Sequence, residues 1–538
     1  MTDATADTAT DDRGYLTEKG FWSWAATLDH KRIGVMYFYT TFLFFLVGGL
    51  LALVVRLELM TPGPSLISDH AYDVLFTMHG NMMIFLFIIP AIPSALGNFF
   101  IPMMVGARDV AFPRLNLAGY WIFVAGVIVV MASLVQPMDT GWTFYTPYSA
   151  KTGAAVTTIS FGIFLVGMSS IVTGLNFIVT IHRLRAPGLT WFRLPLFIWA
   201  MYATSIIQVL ATPVVGVTFL LLAAERLLGV GFFDPAKGGD PLLFQHFFWF
   251  YSHPVVYVMI LPAMGIITEI IPVFSRKPIF GYKAIAYSSL SIAFIGFLVW
   301  GHHMFVSGMS NTASVIFSFL TFFVAVPTGI KVFNWIATLY KGAIFLASPM
   351  IYALTFIFLF IIGGLTGPFL GALATNVPLH DTYFLVAHFH YTIMGGTVMG
   401  YFAGLYYWFP KMTGRMVNEK VAKIAWAFIF VGFNITFFTM FILGLMGMPR
   451  RYAEYLPQQQ GLNILATVGS WILAVGVLIM VVNFIRDLFH GVQAPSNPWY
   501  SQTLEWQTTS PPATENFEEI PVVTKWPYSY GKREKDER

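Results

Sequence analysis

The sequence contains no cysteine and very little charge. Among its 538 residues none is cysteine, and only 10% are Asp, Glu, Lys or Arg, whereas soluble domains usually carry about 25%. The absence of thiols excludes disulfides, iron–sulfur clusters held by this chain, and a dinuclear copper centre with cysteine bridges. Any metal that the chain binds must therefore be held by nitrogen and oxygen ligands.

Long apolar runs take the place of the missing charge. Hydrophobic residues make up 57% of the chain, and runs of roughly 20 residues are long enough to cross a hydrocarbon layer of ~30 Å. The sequence therefore predicts an all-α polytopic membrane protein with twelve transmembrane helices, near residues 33–59, 72–102, 116–136, 156–182, 194–223, 243–271, 284–307, 312–338, 347–370, 381–409, 424–446 and 463–485.

The distribution of Lys and Arg predicts the orientation of these spans. The loops on the side of both chain ends hold far more Lys and Arg than the opposite loops, and such loops face the cytoplasm. We expect residues 1–32 to form a cytoplasmic segment, residues 33–489 a membrane domain, and residues 490–538 a cytoplasmic tail. The expected location is a bacterial inner membrane, in contact with lipid and not with nucleic acid.

Six histidines lie inside these apolar spans. They occur in the strings TMHGN, YSHPVVY, WGHHMF and VAHFHYT, as His79, His253, His302, His303, His388 and His390. Imidazole is the commonest metal ligand near neutral pH, and a polar group at membrane depth needs a specific reason. Each histidine alone is equally compatible with a hydrogen-bonded core residue. The predicted topology puts all six in the outer half of the bilayer, however, and this shared depth indicates metal chemistry within a membrane.

The spacing of the histidines predicts two kinds of site. His388 and His390 are two residues apart, so on a helix they point to opposite faces and suit two separate prosthetic groups. His302 and His303 adjoin at a helix end and can converge on one ion, with His253 as a third ligand. Three imidazoles without a carboxylate suit copper or zinc.

Polar residues near these histidines outline a possible route for protons. Tyr257 lies four residues after His253 on the same helical face, where a phenol offers a proton and an electron. Lys331 and Thr328 share a face, and Thr268 lies about three helical turns after Tyr257. An intramembrane lysine is by default a functional-site hypothesis, and the main alternative is a side chain that reaches the interface.

Several longer strings resemble one known family. FTMHGNMMIF, WFYSHPVVY, WGHHMFVSGM, PTGIKVFNW, LHDTYFLVAHFHY and GMPRRY closely resemble subunit I of the haem–copper oxygen reductases, with the spacing of the A-type cytochrome c oxidases. The resemblance runs through all twelve predicted spans in order. It implies a bundle that binds two haems, of the haem A type, and one copper ion. It also implies reduction of dioxygen to water with electrons from cytochrome c, coupled to proton translocation.

The resemblance implies a role for each histidine. The low-spin haem would be held by His79 and His390, the high-spin haem by His388, and the copper by His253, His302 and His303. Tyr257 would be cross-linked to His253, so that these two residues would act directly in catalysis.

The resemblance also implies residues around the haems. Arg56 would hydrogen-bond a substituent of the low-spin haem, and Arg450 and Arg451 would pair with haem propionates, although interfacial arginines often only anchor lipid headgroups. His380 and Asp381 would bind a magnesium or manganese ion. As a bare dipeptide this last pair is a weak signal.

Two proton routes follow from the same resemblance. One comprises Lys331, Thr328 and Thr268, with Glu269 near its entrance. The other comprises Asp109, Asn98, Asn116, Ser169 and Ser170, although such residues are also common turn formers.

The sequence departs from the family at one position. Most A-type enzymes have a glutamate two residues after the first copper ligand, and this chain has Val255. Tyr251 and Ser252 precede that ligand and resemble a variant subgroup with a tyrosine–serine pair. Because Tyr251 lies four residues before Val255 on the same side, we hypothesise that Tyr251 and Ser252, with ordered water, replace the glutamate as proton relay.

Three alternative functions remain open. A nitric oxide reductase would share the histidines but would lack Tyr257. A quinol oxidase would carry polar residues where this chain has apolar ones, namely Val47, Leu51, Ala71 and Val74, and only His70 favours it. A transporter with a histidine proton relay would also fit twelve spans.

The resemblance finally implies partner subunits. Because the chain has no cysteine, a dicopper entry site for electrons must lie on a separate subunit II. A subunit III and assembly with the donor in a supercomplex are expected from the resemblance only.

Overall fold

The computed structural model describes residues 14–153 and 155–531. Residues 1–13 of the predicted N-terminal segment and residues 532–538 of the predicted tail lie outside this range. The described chain is almost entirely helical, with α1 (Phe21–Ala25), α2 (His30–Glu58), α3 (Asp69–Asn81), α4 (Asn98–Val105), α5 (Pro113–Ala132), α6 (Tyr148–Lys151), α7 (Val156–Arg183), α8 (Leu196–Leu228), α9 (Pro241–Ser275), α10 (Tyr282–Gly296), α11 (Asn311–Leu339), α12 (Ser348–Gly371), α13 (Leu373–Leu379), α14 (Tyr383–Thr392), α15 (Met399–Thr413), α16 (Glu419–Leu445) and α17 (Gln460–His490).

Short π-helical segments join some of these helices into longer ones. Met82–Ile88 and Ala91–Gly97 connect α3 to α4, and Ile393–Val398 connects α14 to α15. Such π segments occur often at functional sites. Both continuous helices carry predicted haem ligands just before their π segments, so the altered winding lies next to the expected site.

The prediction of an all-helical membrane protein is confirmed. Within residues 14–153 and 155–531, ten helical segments are long and apolar enough to cross a membrane, namely α2, α3 with α4, α5, α7, α8, α9, α11, α12, α16 and α17. The other two predicted spans coincide with α14–α15 and with α10. The latter differs from its prediction, because the α-helix ends at Gly296 and a 3₁₀ turn, Trp300–Met304, follows.

Close backbone contact fixes the position of α14. A Cβ atom at Gly444 of α16 would lie 2.0 Å from the backbone nitrogen of Phe384 at the start of α14. Only glycine allows this approach. Packing between α16 and α14 therefore sets the position of the helix that carries His388 and His390.

A buried carboxylate orients the entry to α9. Glu225 is 1% exposed, and its carboxylate accepts hydrogen bonds from the backbone nitrogens of Phe232, Phe233 and Asp234 at 3.2, 2.7 and 2.8 Å. The loop that these bonds shape leads directly into α9, which carries His253. The end of α8 therefore helps to set the position of α9.

The C-terminal tail packs against the helix ends. The ammonium group of Lys411, at the end of α15, donates to the carbonyl oxygens of Ser496, Thr508 and Thr509 at 3.0, 2.7 and 3.1 Å. Near the start of the described chain, Gly14 forms an antiparallel bridge with Ala513. The tail is thus an integral part of one end of the bundle.

We predict that Glu225→Ala destabilises the protein. The substitution leaves three backbone N–H groups without their acceptor, two of them buried, and we expect a loss of about 3 kcal/mol of unfolding free energy. The thermal midpoint of the purified protein would report this loss. Glu225→Gln keeps one acceptor oxygen and should lower the midpoint less. Equal midpoints for Glu225→Ala and the unchanged protein would contradict the prediction.

Candidate metal centre

Three imidazoles converge between α9 and the turn that follows α10. Nδ1 of His253 lies 3.1 Å from Nε2 of His302 and 3.3 Å from Nε2 of His303. Within the described chain, these histidines form the one group of three or more His, Cys, Asp or Glu side chains whose donor atoms lie within 4.8 Å of one another. Three nitrogen donors converging on one point fit a copper or zinc ion. The predicted convergence of the three histidines is thus present in the fold.

The 3₁₀ turn after α10 carries the other two histidines of the cluster. Adjacent side chains on such a turn point about 120° apart, so the imidazoles of His302 and His303 approach Nδ1 of His253 from different directions. Nδ1 of His302 lies 3.0 Å from Oγ1 of Thr321 on α11. This contact orients the ring, because a bond at one nitrogen determines which nitrogen faces the metal.

Two aromatic side chains extend the centre. The Tyr257 hydroxyl lies 3.0 Å from Nε2 of His253, the nitrogen that faces away from the other two imidazoles. The Trp249 indole stacks on His303, with ring centroids 3.9 Å apart and planes 7° apart, and donates to the Tyr145 hydroxyl at 2.6 Å. Sequence reasoning missed Trp249, although its place one helical turn before His253 could have indicated it.

The three remaining histidines are oriented by hydrogen bonds at Nδ1. Nδ1 of His79 lies 2.8 Å from the Gly48 carbonyl oxygen, and Nδ1 of His390 lies 2.8 Å from that of Val386. Nδ1 of His388 lies 3.0 Å from Oγ1 of Thr366. In each case Nε2 is the nitrogen presented to a ligand. This arrangement fits axial ligation of haem iron.

Arg56 offers a second test of whether the site fits a haem. Its Nη2 donates to the Asn463 carbonyl oxygen at 2.8 Å, and the same atom lies 3.2 Å from Oγ1 of Thr467. Nε and Nη1 are buried and have no partner among the described residues. Buried guanidinium donors need an acceptor. An oxygen-bearing haem substituent would provide one.

A polar cavity of about 750 Å³ is lined by His380, Asp381, Arg450 and Arg451, among others. Both Nε and Nη2 of Arg450 bond to Oδ1 of Asp381. Burial favours the neutral form of Asp381, but Arg450 and His380 outweigh it and hold the pKa of this carboxyl below its usual value. Burial and the adjacent Arg450 lower the pKa of Arg451 to about 10.

The predicted magnesium pair therefore offers few donors. Nε2 of His380 lies 3.7 Å from Oδ2 of Asp381, while Oδ1 is occupied by Arg450. Burial lowers the pKa of His380 and keeps its ring neutral, which suits a metal ligand. A divalent cation here would need further oxygen ligands from water or a partner.

The predicted Lys331 route contains polar neighbours, but they are not joined in a single line. Nζ of Lys331 donates to Oγ of Ser289 at 2.7 Å and to the Ile285 carbonyl oxygen. Oγ1 of Thr268 accepts from the Trp335 indole at 2.9 Å, and Thr328 bonds within its own helix. Sequence reasoning missed Ser289, which lies on a different helix and carries no motif.

Four of the five residues of the second route lie on α4, α5 and α7, and Asp109 lies in the loop between α4 and α5. Nδ2 of Asn98 donates to the Ser94 carbonyl oxygen, Oγ of Ser169 bonds to the Tyr37 hydroxyl at 2.9 Å, and Oγ of Ser170 accepts from Gln208. Nδ2 of Asn116 is buried without a described partner.

Asp109, at the tail end of this route, is partly shielded from water. Burial raises its pKa to about 7, against the lowering effect of the Val110 backbone N–H. Nearby, Asn176 bonds with both backbone groups of Phe112 at 3.0 and 3.2 Å. Sequence reasoning missed Asn176, whose spacing of seven residues from Ser169 places both on one helical face.

The tyrosine–serine pair of the proposed relay is buried on α9. Tyr251, Ser252 and Val255 are 4%, 1% and 3% exposed. Oγ of Ser252 has no hydrogen-bond partner among the described residues. A buried hydroxyl in this state can hold an ordered water.

We predict that His253→Ala abolishes copper binding by the cluster. Two imidazoles are a poor site compared with three, so copper should fall from about one per chain toward zero, as measured by elemental analysis of purified protein. His246→Ala is the matched control on the same helix, because His246 instead contacts Trp300. Loss of copper in both variants, or in neither, would contradict the prediction.

Known proteins resemble this chain over most of its length. The sequence model described as Cytochrome C and Quinol oxidase polypeptide I matches residues 32–472. Proteins named Cytochrome c oxidase subunit 1 are 48% identical over 508 residues in Synechocystis sp. (94% of this chain and 92% of that protein), and 46% identical over 516 residues in Thermostichus vulcanus (95% and 94%). The protein of the same name from Bacillus subtilis is 42% identical over 520 residues (94% and 83%).

A solved structure shares the fold. The cryo-EM structure of a heme-copper terminal oxidase dimer aligns with a TM-score of 0.76 over 86% of this chain and 85% of that chain, at 22% identity. The family match covers most of the chain and includes all six histidines. The chain therefore belongs to the cytochrome c and quinol oxidase polypeptide I family.

Proposed function

We propose that this chain is the catalytic subunit of a respiratory terminal oxidase that reduces dioxygen to water with electrons from cytochrome c and translocates protons. The three-imidazole cluster beside a tyrosine carries the proposal, because the Tyr257 hydroxyl lies 3.0 Å from His253. The names of the curated relatives support cytochrome c as donor.

The residues present fit the expected prosthetic groups. His253, His302 and His303 would hold copper, His79 and His390 the low-spin haem, and His388 the high-spin haem. When bound, these groups supply the electron transfer and the oxygen chemistry that side chains alone cannot perform. The unpartnered donors of Arg56 support a haem with an oxygen-bearing substituent, as in haem A. His380 and Asp381 would contribute two ligands to a magnesium or manganese ion.

In this proposal the side chains supply and hold protons. Tyr257 can release the proton on its hydroxyl toward the reaction site, and His253 fixes the position of that hydroxyl. Lys331 can hold a proton on Nζ, where Ser289 and the Ile285 carbonyl accept its hydrogen bonds. Thr268 and Thr328 would bridge to Tyr257 through water, since hydroxyls both donate and accept.

The second route would bring protons from the tail side. Asp109, Asn98, Asn116, Ser169 and Ser170 would conduct them inward, and Tyr251 with Ser252 would carry them past Val255. A tyrosine hydroxyl titrates near 10, so the pair would act as a hydrogen-bonded conduit and not as a proton store.

The proposed assembly includes a subunit II with a dicopper centre and a subunit III. Large apolar side chains on α11, among them Phe319, Phe323 and Phe333, are exposed and suit lipid or a membrane partner. We place both termini in the cytoplasm of a bacterial cell, as the Lys and Arg distribution favours.

Quinol oxidation is the second candidate, because the description of the matching family includes quinol oxidases. His70 is the polar residue that favours it. This side chain is largely exposed and lies 3.5 Å from Asp139. Contact with solvent therefore explains a polar residue at this position without a bound quinol. Cytochrome c therefore remains the proposed donor.

An assay of the purified complex tests the proposed function. We expect absorption bands of low-spin and high-spin haem, and oxygen consumption with reduced cytochrome c that exceeds consumption with a quinol. Tyr257→Phe removes the proton beside the cluster, and it should reduce turnover at least about 100-fold. Protein without haem bands would refute the proposal, and faster turnover with quinol would favour the second candidate.

A double variant tests the proposed relay. Tyr251→Phe with Ser252→Ala removes both hydroxyls, and we expect slower turnover, by about tenfold or more, and less proton ejection by reconstituted vesicles. Tyr406→Phe with Ser160→Ala is a matched control, because it removes two buried hydroxyls that have no described partner elsewhere in the bundle. Unchanged turnover and proton ejection in the first variant would refute the relay.

A further inference from the structure

The C-terminal tail carries a buried carboxylate that the proposed mechanism does not use. Glu505 lies in the 3₁₀ turn Leu504–Gln507 and is 0% exposed. This turn packs against α4, the helix that begins at Asn98. A carboxylate is rarely buried without a compensating partner, so its two oxygens need separate explanations.

One oxygen of Glu505 ends a line of hydroxyls. Oγ1 of Thr503 donates to Oε1 of Glu505 at 2.8 Å, and Oγ of Ser501 lies 3.1 Å from Oγ1 of Thr503. The Tyr530 hydroxyl donates to Oγ of Ser501 at 3.5 Å and accepts from the backbone nitrogen of exposed Gln502 at 3.1 Å. Because each hydroxyl both donates and accepts, the line can pass a proton from Tyr530, which adjoins exposed Gln502, to the carboxylate.

The other oxygen of Glu505 faces polar groups that also lack partners. Oε2 of Glu505, the Tyr407 hydroxyl and Nε1 of Trp408 are all buried, and none makes a hydrogen bond of good geometry to a described residue, although Trp408 lies close enough to act on the Glu505 carboxyl and Ser501 on the Tyr407 hydroxyl. Trp408 and Tyr407 are neighbours of Glu505. A water molecule accepts from an indole N–H and donates to a carboxylate or phenol oxygen, and buried waters need two to four such partners.

The nearest cation does not explain the second oxygen. An ammonium group has three donors, and the three carbonyl oxygens of Ser496, Thr508 and Thr509 occupy those of Lys411. Burial lowers the pKa of Lys411 to about 7, against the effect of Glu505, so Lys411 acts on Glu505 through the charge it retains and without a hydrogen bond. This leaves water as the group that fits between Glu505, Tyr407 and Trp408.

We propose that Glu505 is a proton-binding site at the tail end of the bundle, loaded through Tyr530, Ser501 and Thr503 and solvated by water between Tyr407 and Trp408. A proton from bulk water would convert the carboxylate to a neutral carboxylic acid, and its release would restore the carboxylate. Only the assignment of this site to oxidase proton uptake rests on the proposed function. Proton binding itself does not.

The electrostatic surroundings agree with this role. Burial raises the pKa of Glu505 to about 7, while the Thr503 hydroxyl, Trp408 and Lys411 oppose that rise. Glu269 of α9 is a further acidic neighbour. A carboxyl with this pKa changes its protonation state near neutral pH.

An infrared pH titration of the purified complex tests the site without turnover. We expect a protonated carboxyl band that disappears with a midpoint near pH 7, and we expect Glu505→Gln to lack this one component. A wild-type difference spectrum identical to that of Glu505→Gln between pH 5 and pH 9 would refute the proposal.

Two milder variants test the surroundings of the site. Tyr407→Phe removes a partner of the proposed water and should raise the midpoint, whereas Tyr352→Phe removes a buried, unpartnered hydroxyl on α12 and should not. Ser501→Ala breaks the hydroxyl line without touching the carboxylate, so it should slow proton equilibration after a pH jump. An unmoved midpoint in Tyr407→Phe together with an unchanged rate in Ser501→Ala would refute the proposal.

The same preparations separate this site from the proposed function. Wild-type protein that titrates as expected but consumes no oxygen would overturn the proposed function and support the site. An active oxidase whose infrared titration lacks the carboxyl band of Glu505 would refute the proton-binding site but leave the proposed function standing.

Discussion

The convergence of three imidazoles on one point is the constraint on which the rest of the structure depends. His253 comes from a long helix, whereas His302 and His303 come from the 3₁₀ turn that follows α10. The last residue of α10, Gly296, lies so close to Tyr257 that a Cβ atom would be 2.7 Å from the phenol ring. The same contact keeps Tyr257 beside His253. The three-imidazole cluster and the Tyr257 hydroxyl thus share one packing interface.

The polar groups around this cluster must find hydrogen-bond partners in the protein or in a ligand, because little water reaches the interior of an apolar helix bundle. Nδ1 of His79, His388 and His390 lies within hydrogen-bond distance of an oxygen atom of the protein in each case. This contact leaves Nε2 to face a ligand. Arg56 is only partly satisfied by the chain. Each of these histidines thus keeps Nε2 for a ligand, and Arg56 keeps two donors. Buried polar groups that the protein leaves for a ligand in this way support cofactor binding independently of similarity.

Sequence alone predicted the features that depend on local spacing. The apolar runs located the helices, and the positions of the six histidines predicted which would converge and which would diverge. Contacts between remote segments could not be predicted, because no motif marks them. Trp249 stacks on His303, Ser289 bonds to Lys331, and Glu269 accepts from Phe197 and from Tyr528 of the tail. The early end of α10 was also missed, since hydropathy does not distinguish an α-helix from a 3₁₀ turn.

Because Val255 carries no carboxyl group, the proposed function requires this chain to store protons elsewhere. Tyr251 and Ser252 can conduct a proton but cannot hold one as a carboxylic acid at neutral pH. The acidic groups on the input side instead lie near the tail, where burial raises the pKa of both Asp109 and Glu505 to about 7. Groups that titrate close to the ambient pH exchange protons most readily in both directions. Protons held by Asp109 and Glu505 near the tail would therefore reach the metal centre through hydroxyls and water. No carboxyl group would be needed beside that centre.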